Sequence, residues 1–184
     1  MEGGSPTDGT TTRKIISTYA TAIGFGDPVV SVSSGYIEAP APGTTQLAGI
    51  FYGCEYLNLA VGRKVWSMYW PGTTQGGDAL AYICNDPQAL FVVQSDNTAI
   101  AFADIDANIN FVLGTPNTVT QMGTTTVGQS TINTTNTLPF RIVGLLSEYE
   151  GTSGAINGTD DTTAYNRIIV RANFWDRTSA TGIV

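Results

Sequence analysis

A strict alternation of apolar with other residues recurs along this chain. This pattern limits the possible folds more than any other feature of the sequence. Residues 48–56 place Ile50, Tyr52 and Cys54 at every second position, and residues 167–174 repeat the pattern with Ile168 and Val170. Successive side chains of a β-strand point to opposite faces, so a period of two predicts half-buried strands. A sustained period of 3.6 residues is missing, so the sequence predicts almost no helix beyond one short turn near residues 86–89.

Turn-forming residues separate the alternating runs and indicate the architecture. Clusters of Gly, Pro, Asn and Asp occur at residues 26–28, 40–43, 71–72, 76–78, 114–117 and 157–158. They favour turns because Pro fixes φ while Gly and Asn tolerate positive φ. Their spacing predicts an all-β fold over residues 13–184, a single-domain β-sandwich or barrel of jelly-roll type. One core is predicted, made of Ile50, Tyr52, Cys54, Leu80, Tyr82, Val92, Phe102, Ile142, Ile168 and Val170.

Residues 1–12 differ from the rest because they consist mainly of Gly, Ser, Thr and Pro without apolar periodicity. Such a segment cannot bury itself, so we expect an extended N-terminal arm that binds a partner. It has neither the basic region nor the apolar region of a secretory signal. No apolar run approaches the ~20 residues that span a bilayer, so we expect no membrane partner.

Charged residues make up only 12% of the chain, about half the ~25% usual in globular proteins. The net charge of −7 argues against nucleic acid as a partner, since that requires Lys and Arg to displace counterions. Thr, Ser, Asn, Gln and Gly take the place of charges. These residues can line protein contacts without the cost of desolvating ions.

The chain contains no histidine, which excludes Ser-His-Asp and Cys-His catalysis and the commonest metal ligand. Asp104 and Asp106 would suit Ca²⁺ or a glycosidase pair if they shared one strand face. Asp160 and Asp161 have a calcium-loop composition but lack the distal Glu of such loops. The sequence therefore assigns no catalytic, metal-binding or cofactor-binding residue and predicts that the protein is not an enzyme.

The cysteines and the tryptophans complete the candidates. Cys54 lacks an adjacent base, and we interpret Cys54 and Cys84 as buried thiols, with a disulfide as the alternative. Trp66, Met68 and Trp70 would share one face of a strand. Such a cluster favours a core or a subunit interface, and the alternative is a surface that binds sugars or bases.

Several segments in a fixed order carry a resemblance to a known family. Residues 69–73 read YWPGT, residues 81–87 AYICNDP and residues 90–96 LFVVQSD. The order is completed by residues 26–30, 49–56, 63–68, 141–145 and 166–174. It resembles small structural proteins of tailed bacteriophages that accompany the major capsid protein and decorate the head. The similarity extends over roughly residues 15–175.

The resemblance implies an all-β decoration (cement) protein on the exterior of the virion capsid, assembled in the bacterial cytoplasm. It implies the major capsid protein as partner and a homo-oligomer, with a trimer favoured by the symmetry of capsid lattices. It brings no catalytic residues. The alternative is a receptor- or carbohydrate-binding β-domain of a phage fibre or surface appendage. The Thr-rich segment 114–137 is either a long surface loop or a set of weak strands facing a neighbour.

Overall fold

The computed structural model describes residues 9–72, 76–146 and 161–178, and it confirms the all-β fold. Within these ranges the helices are two 3₁₀ turns, Phe102–Asp104 and Gln129–Thr131. Residues 86–89 form a hydrogen-bonded turn, in which the N–H of Ala89 donates to the carbonyl of Asp86 at 3.1 Å. The strands in chain order are β1 (Thr10–Ile15), β2 (Pro28–Ser31), β3 (Ile37–Glu38), β4 (Gly49–Asn58), β5 (Arg63–Ser67), β6 (Ala79–Cys84), β7 (Phe91–Gln94), β8 (Asn108–Ile109), β9 (Phe111–Val112), β10 (Thr126–Val127), β11 (Phe140–Leu145) and β12 (Arg167–Ala172).

The larger sheet is built around β4, the longest strand. Its order is β1-β6-β4-β2-β3, and β5 also pairs with β4. All of these pairs are antiparallel. The segment predicted as an arm enters this sheet, since β1 begins at Thr10, opposite Cys84 of β6. Residues 1–8 of that segment lie outside the described residues.

The second sheet has the order β7-β12-β11-β8 and is also antiparallel. A short ribbon of β9 and β10 lies beside it. Two parallel bridges tie this half to the larger sheet: Leu47 pairs with Trp175, and Phe25 pairs with Met122. A further bridge joins Ser95, directly after β7, to Val127 of β10.

A bulge in β4 sets which side chains of the central strand face inward. Phe51 lies opposite Ile83 of β6, but the next pair is Gly53 with Tyr82, so Tyr52 is an extra residue. A bulge turns the following side chains over. Phe51 and Cys54 are therefore both fully buried, while Tyr52 is 46% exposed.

Glycine is required at the bulge. Gly53 has φ +148°, and a β-carbon there would lie 2.9 Å from the Trp66 ring and 2.9 Å from the carbonyl oxygen of Ser67. Any other residue would have to displace β5 as well as adopt a strained backbone.

The buried side chains form two clusters, so the expectation of one core is wrong. The first lies under the larger sheet and contains Ile15, Ile23, Val29, Ile37, Ala48, Phe51, Cys54, Tyr56, Trp70, Ala79, Ala81 and Ile83. The second lies under the other sheet and contains Leu47, Ile50, Ile100, Ile109, Phe111, Val127, Phe140, Ile142, Ile168, Val170, Ala172 and Trp175. Adjacent residues of β4 serve both clusters, Ile50 the second and Phe51 the first.

Half of the predicted core is confirmed as buried: Ile50, Cys54, Ile142, Ile168 and Val170. Leu80 and Tyr82 are only half-buried, because β6 turns Ala79, Ala81 and Ile83 inward instead.

The other predicted core positions are wrong. Tyr52 is the unpaired residue of the bulge and is exposed. Val92 is exposed because its neighbours Phe91 and Val93 face the second cluster. Phe102 lies in a 3₁₀ turn rather than a strand and is also exposed.

Truncation of side chains can test which face of β6 points into the first cluster. We expect Ile83→Ala to lower the free energy of unfolding by about 2–5 kcal/mol, because it leaves a cavity in the first cluster. Leu80→Ala, on the opposite face of the same strand, should cost about 1 kcal/mol or less. Urea unfolding of both variants measures the difference, and an equal or reversed order would contradict this register.

Candidate interaction surfaces

The carboxylates singled out in the sequence do not form a catalytic or metal-binding pair. Asp104 ends a 3₁₀ turn, where its Oδ2 accepts the N–H of Ala101 at 2.9 Å. Asp106 follows with φ +70°, and Arg141 donates from Nε to its carbonyl oxygen at 3.1 Å. The expectation that Asp104 and Asp106 share a strand face is therefore wrong, because the chain turns there instead of extending.

The described residues give no support to a metal site at Asp160 and Asp161. Among the residues that the structure describes, no group of three or more His, Cys, Asp or Glu side chains could hold a metal ion. Asp161 is half-buried at the start of the last described range, and Asp160 lies outside the described residues.

Cys54 has the environment of a structural thiol. Its side chain is fully buried, and burial raises the pKa of the thiol to about 12. The thiol donates a hydrogen bond to the carbonyl oxygen of Tyr69, with 3.7 Å between Sγ and the oxygen. A thiol with such a pKa stays protonated near neutral pH and is a poor nucleophile. Cys84 is half-buried, and both cysteines are free thiols.

The two tryptophans of the predicted aromatic cluster are separated. Trp70 is fully buried, packs edge to face on Tyr56 with 5.8 Å between ring centroids, and donates from Nε1 to the carbonyl of Tyr19. Trp66 is 58% exposed on β5. The predicted shared face is wrong because β5 ends at Ser67, and Trp70 instead bridges to Ile23.

Trp66 belongs to an outward-facing surface that we call the aromatic face, made of Trp66, Glu55 and Tyr82. Trp66 lies directly opposite Glu55 in the β4–β5 register, so both side chains project from the same side of the sheet. The hydroxyl of Tyr82 donates to Glu55 Oε1 at 2.9 Å. This hydrogen bond raises the pKa of Tyr82 above its usual range. The face thus combines an aromatic plane with a carboxylate held in place.

An open groove of about 530 Å³ lies between the two sheets. Its buried part is apolar and includes Ile50, Phe111 and Val127, while Tyr52 and Val92 lie exposed at its mouth. None of the described residues that line it carries a charge. Its volume falls within the ~300–1,000 Å³ typical of binding pockets.

One wall of the groove is the edge strand β7. In the described part of the chain β7 pairs along its length with β12 only, and pairing on its other side begins at Ser95. Exposed Leu90 and Val92 lie along this wall. Natural proteins usually protect such edges with charges, Pro or bulges. Residues 90–94 contain none of these.

The opposite rim, residues 122–126, is held by the buried carboxylate of Asp27, which is 2% exposed. Its Oδ1 accepts the Thr125 hydroxyl at 2.6 Å, and its Oδ2 accepts the N–H of Gly24 at 2.8 Å. A β-carbon at Gly123 would overlap Asp27 Oδ1, so glycine is required for this close approach. Burial is the main reason that the pKa of Asp27 is raised.

Residues 117–122 form a tight turn next to this rim, which we call the Val119 turn. Asn117 Oδ1 accepts the N–H groups of Val119 at 2.9 Å and Thr120 at 3.1 Å. The backbone closes the turn twice, from Gln121 N–H to Asn117 O and from Asn117 N–H to Met122 O. Val119 at its tip is 89% exposed, more than any other large apolar side chain in the described residues.

The groove and the turn were not predicted from the sequence. The Asn-x-Val-Thr spacing at Asn117 is a signal for a side-chain-stabilised turn, and residues 90–93 are an apolar run of strand length. Neither pattern shows that the two features lie on one surface. That proximity depends on Asp27, which the sequence marked only as part of a turn.

Comparisons with protein-family models, with curated proteins and with solved structures found no match. The described part of the chain contains no helix with the length and hydrophobicity that a membrane span needs. Function is therefore inferred from the surfaces of the protein.

The buried Asp27 should make stability depend on pH. Its pKa is raised above the ordinary 3.8 in the folded state, so the folded protein holds the proton more tightly than the unfolded chain. The resulting stabilisation is present below the unfolded pKa and is lost as pH rises through the folded pKa. We expect Asp27→Asn to flatten this part of the profile of unfolding free energy against pH.

Urea unfolding at a series of acidic to neutral pH values measures this effect. Asp86→Asn is the matched control, since Asp86 is exposed in a turn where its Oδ1 accepts the N–H of Gln88. An unchanged pH profile in Asp27→Asn would show that Asp27 is not the group responsible.

Proposed function

We propose that this chain is a structural virion protein that binds the outer surface of a phage capsid and stabilises it by bridging neighbouring major capsid protein subunits. The observation that carries the proposal is the uncharged, largely apolar groove bordered by the edge of β7. Exposed apolar surface of this kind marks protein–protein contact sites. The resemblance to decoration proteins gives the class of partner.

The composition of the surface supports this role. A contact made by uncharged polar side chains avoids the cost of desolvating ions. The hydroxyls of Thr124 and Thr125 at the rim of the groove donate within the chain, and their oxygens can still accept hydrogen bonds from a partner directly or through water. Aromatic Tyr52 and Phe25, whose rings lie 4.8 Å apart at its wall, offer the type of anchor that dominates interface energies.

Size and avidity explain why the active form is proposed as a homo-oligomer, with a trimer favoured. A compact chain of this length has a radius of gyration of about 16 Å, which is short for spanning two capsomers. An oligomer that engages several sites at once gains a factor of about 10²–10⁴ in avidity. A closed ring also matches a threefold position in a lattice. In this role the protein is not an enzyme and needs no cofactor.

The test is the stability of phage heads with and without the protein. Heads that lack it should have the same shell architecture but release DNA at a lower temperature and under weaker osmotic shock. Adding the purified protein back should restore resistance. Equal resistance of bare and decorated heads would refute the bridging role.

Binding of the purified protein to bare heads tests the role of the N-terminal segment. We propose that residues 1–8 contribute to capsid binding, because their sequence, MEGGSPTD, has no pattern for burial within the domain. A variant without residues 1–8 keeps all of β1 and should bind heads more weakly. Unchanged affinity would remove the segment from the proposal.

The aromatic face favours a second candidate, a receptor- or carbohydrate-binding domain. Trp66 presents an exposed ring beside Glu55, and an aromatic plane next to a fixed carboxylate suits a sugar ring and its hydroxyls. A glycan array separates the candidates. Specific binding that is lost in Trp66→Ala and kept in Val61→Ala, an exposed position in the turn between β4 and β5, would favour this alternative.

A further inference from the structure

The groove and the Val119 turn are two exposed apolar features of opposite shape. One is a cleft, and the other is a narrow tip with an almost fully exposed valine. Met122 belongs to both, since it closes the turn and lines the groove. Because Val119 is exposed, it does not occupy the groove of its own chain. The same molecule therefore offers both halves of a contact on one surface.

The turn is held in a fixed shape before any partner binds. Both backbone closures and both hydrogen bonds to Asn117 Oδ1 lie within residues 117–122. A preorganised loop loses little conformational freedom when it docks, so more of its contact energy remains as affinity. Val119 can thus act as an apolar anchor.

Charge identifies a second copy of this chain as a suitable partner. Each copy carries a net charge of −7, so two copies repel each other, and this repulsion is weaker when the patches that meet are uncharged. The Val119 turn contains only Asn, Thr, Val, Gln and Met, and the lining of the groove is uncharged. Thr118 and Thr120 flank the valine, while Thr124–Thr126 line the groove. Hydroxyls on both sides can pair as donor and acceptor around an apolar centre.

We propose that the Val119 turn of one copy inserts into the groove of a second copy, with Val119 against the apolar interior and the threonines at the rim. The contact joins different patches, so it can close head to tail as a ring of copies. The inference rests on the part of the proposed function that makes the protein a homo-oligomer, and its test does not involve capsid binding. In such an oligomer a neighbouring copy fills the interior of the groove, so the capsid would contact the exposed edge of β7 and the rest of the rim.

The test is the self-association of the purified full chain, measured by sedimentation over a range of concentrations. Val119→Lys places an ammonium group in an uncharged cleft, so its self-association should weaken by more than about tenfold, which corresponds to about 1.4 kcal/mol. Val61→Lys is the matched control, because Val61 is also an exposed valine in a turn. It should associate like the unmodified protein, and both variants should keep their melting temperatures.

A complementation experiment tests the pairing of turn and groove directly. Val92→Glu places a carboxylate at the mouth of the groove and should also weaken self-association. In a mixture, Val92→Glu copies supply an intact turn and Val119→Lys copies an intact groove, while the altered turn and groove carry opposite charges. We expect the mixture to associate more strongly than either variant by itself.

Three results would overturn this inference: an unmodified protein that is monomeric at all concentrations, a Val119→Lys variant that associates normally, or a Val61→Lys variant that is equally impaired. Each of these leaves the capsid proposal open, since binding to heads is measured separately. Conversely, a protein that self-associates through Val119 but does not bind heads would support this inference and refute the capsid role.

Discussion

The fold depends on one strand, β4, which is shared by the two clusters of buried side chains. Ile50 points into the second cluster and Phe51 into the first, and the bulge after Phe51 keeps Cys54 and Tyr56 in the first as well. Without the extra residue, strict alternation after Phe51 would turn Cys54 and Tyr56 away from the first cluster. The bulge is thus the local irregularity that lets a single strand hold both halves together.

The same irregularity shapes the exterior. Its unpaired residue, Tyr52, packs on Phe25, and the two rings form a wall of the groove. It also requires Gly53, and Trp66, which lies over Gly53, belongs to the aromatic face. Asp27 then fixes the opposite rim through Thr125. Two candidate interaction surfaces therefore follow from features that are structural in origin.

The sequence predicted the positions of the strands well. It predicted less well which side chains of each strand are buried. Alternation located β4, β6 and β12, and the absence of a helical period correctly gave an all-β protein. In β6 both phases of the alternation are apolar, so the sequence alone could not choose Ala81 and Ile83 over Leu80 and Tyr82. In the folded protein Ala79, Ala81 and Ile83 face the first cluster.

Surface features were harder to predict because they depend on contacts distant in sequence. The groove requires Tyr52, Val92 and Met122 to meet, and these residues come from three separate segments. Asp27 contacts Thr125, 98 positions further along the chain. A pattern read over a few neighbouring residues carries no information on such distances. Composition did indicate the chemistry, since a chain with 12% charged residues leaves large uncharged surfaces.

In the proposed role, the groove and its rim are covered on the virion. Amide hydrogen exchange compares dilute, unassociated protein with protein bound to phage heads, so that contacts with the capsid and with neighbouring copies both register. Binding should slow exchange in β7 and in residues 117–126, while the outer strands β1 and β3 stay unchanged. Unchanged exchange around the groove, with protection confined to the aromatic face or elsewhere, would contradict the proposed role of this surface.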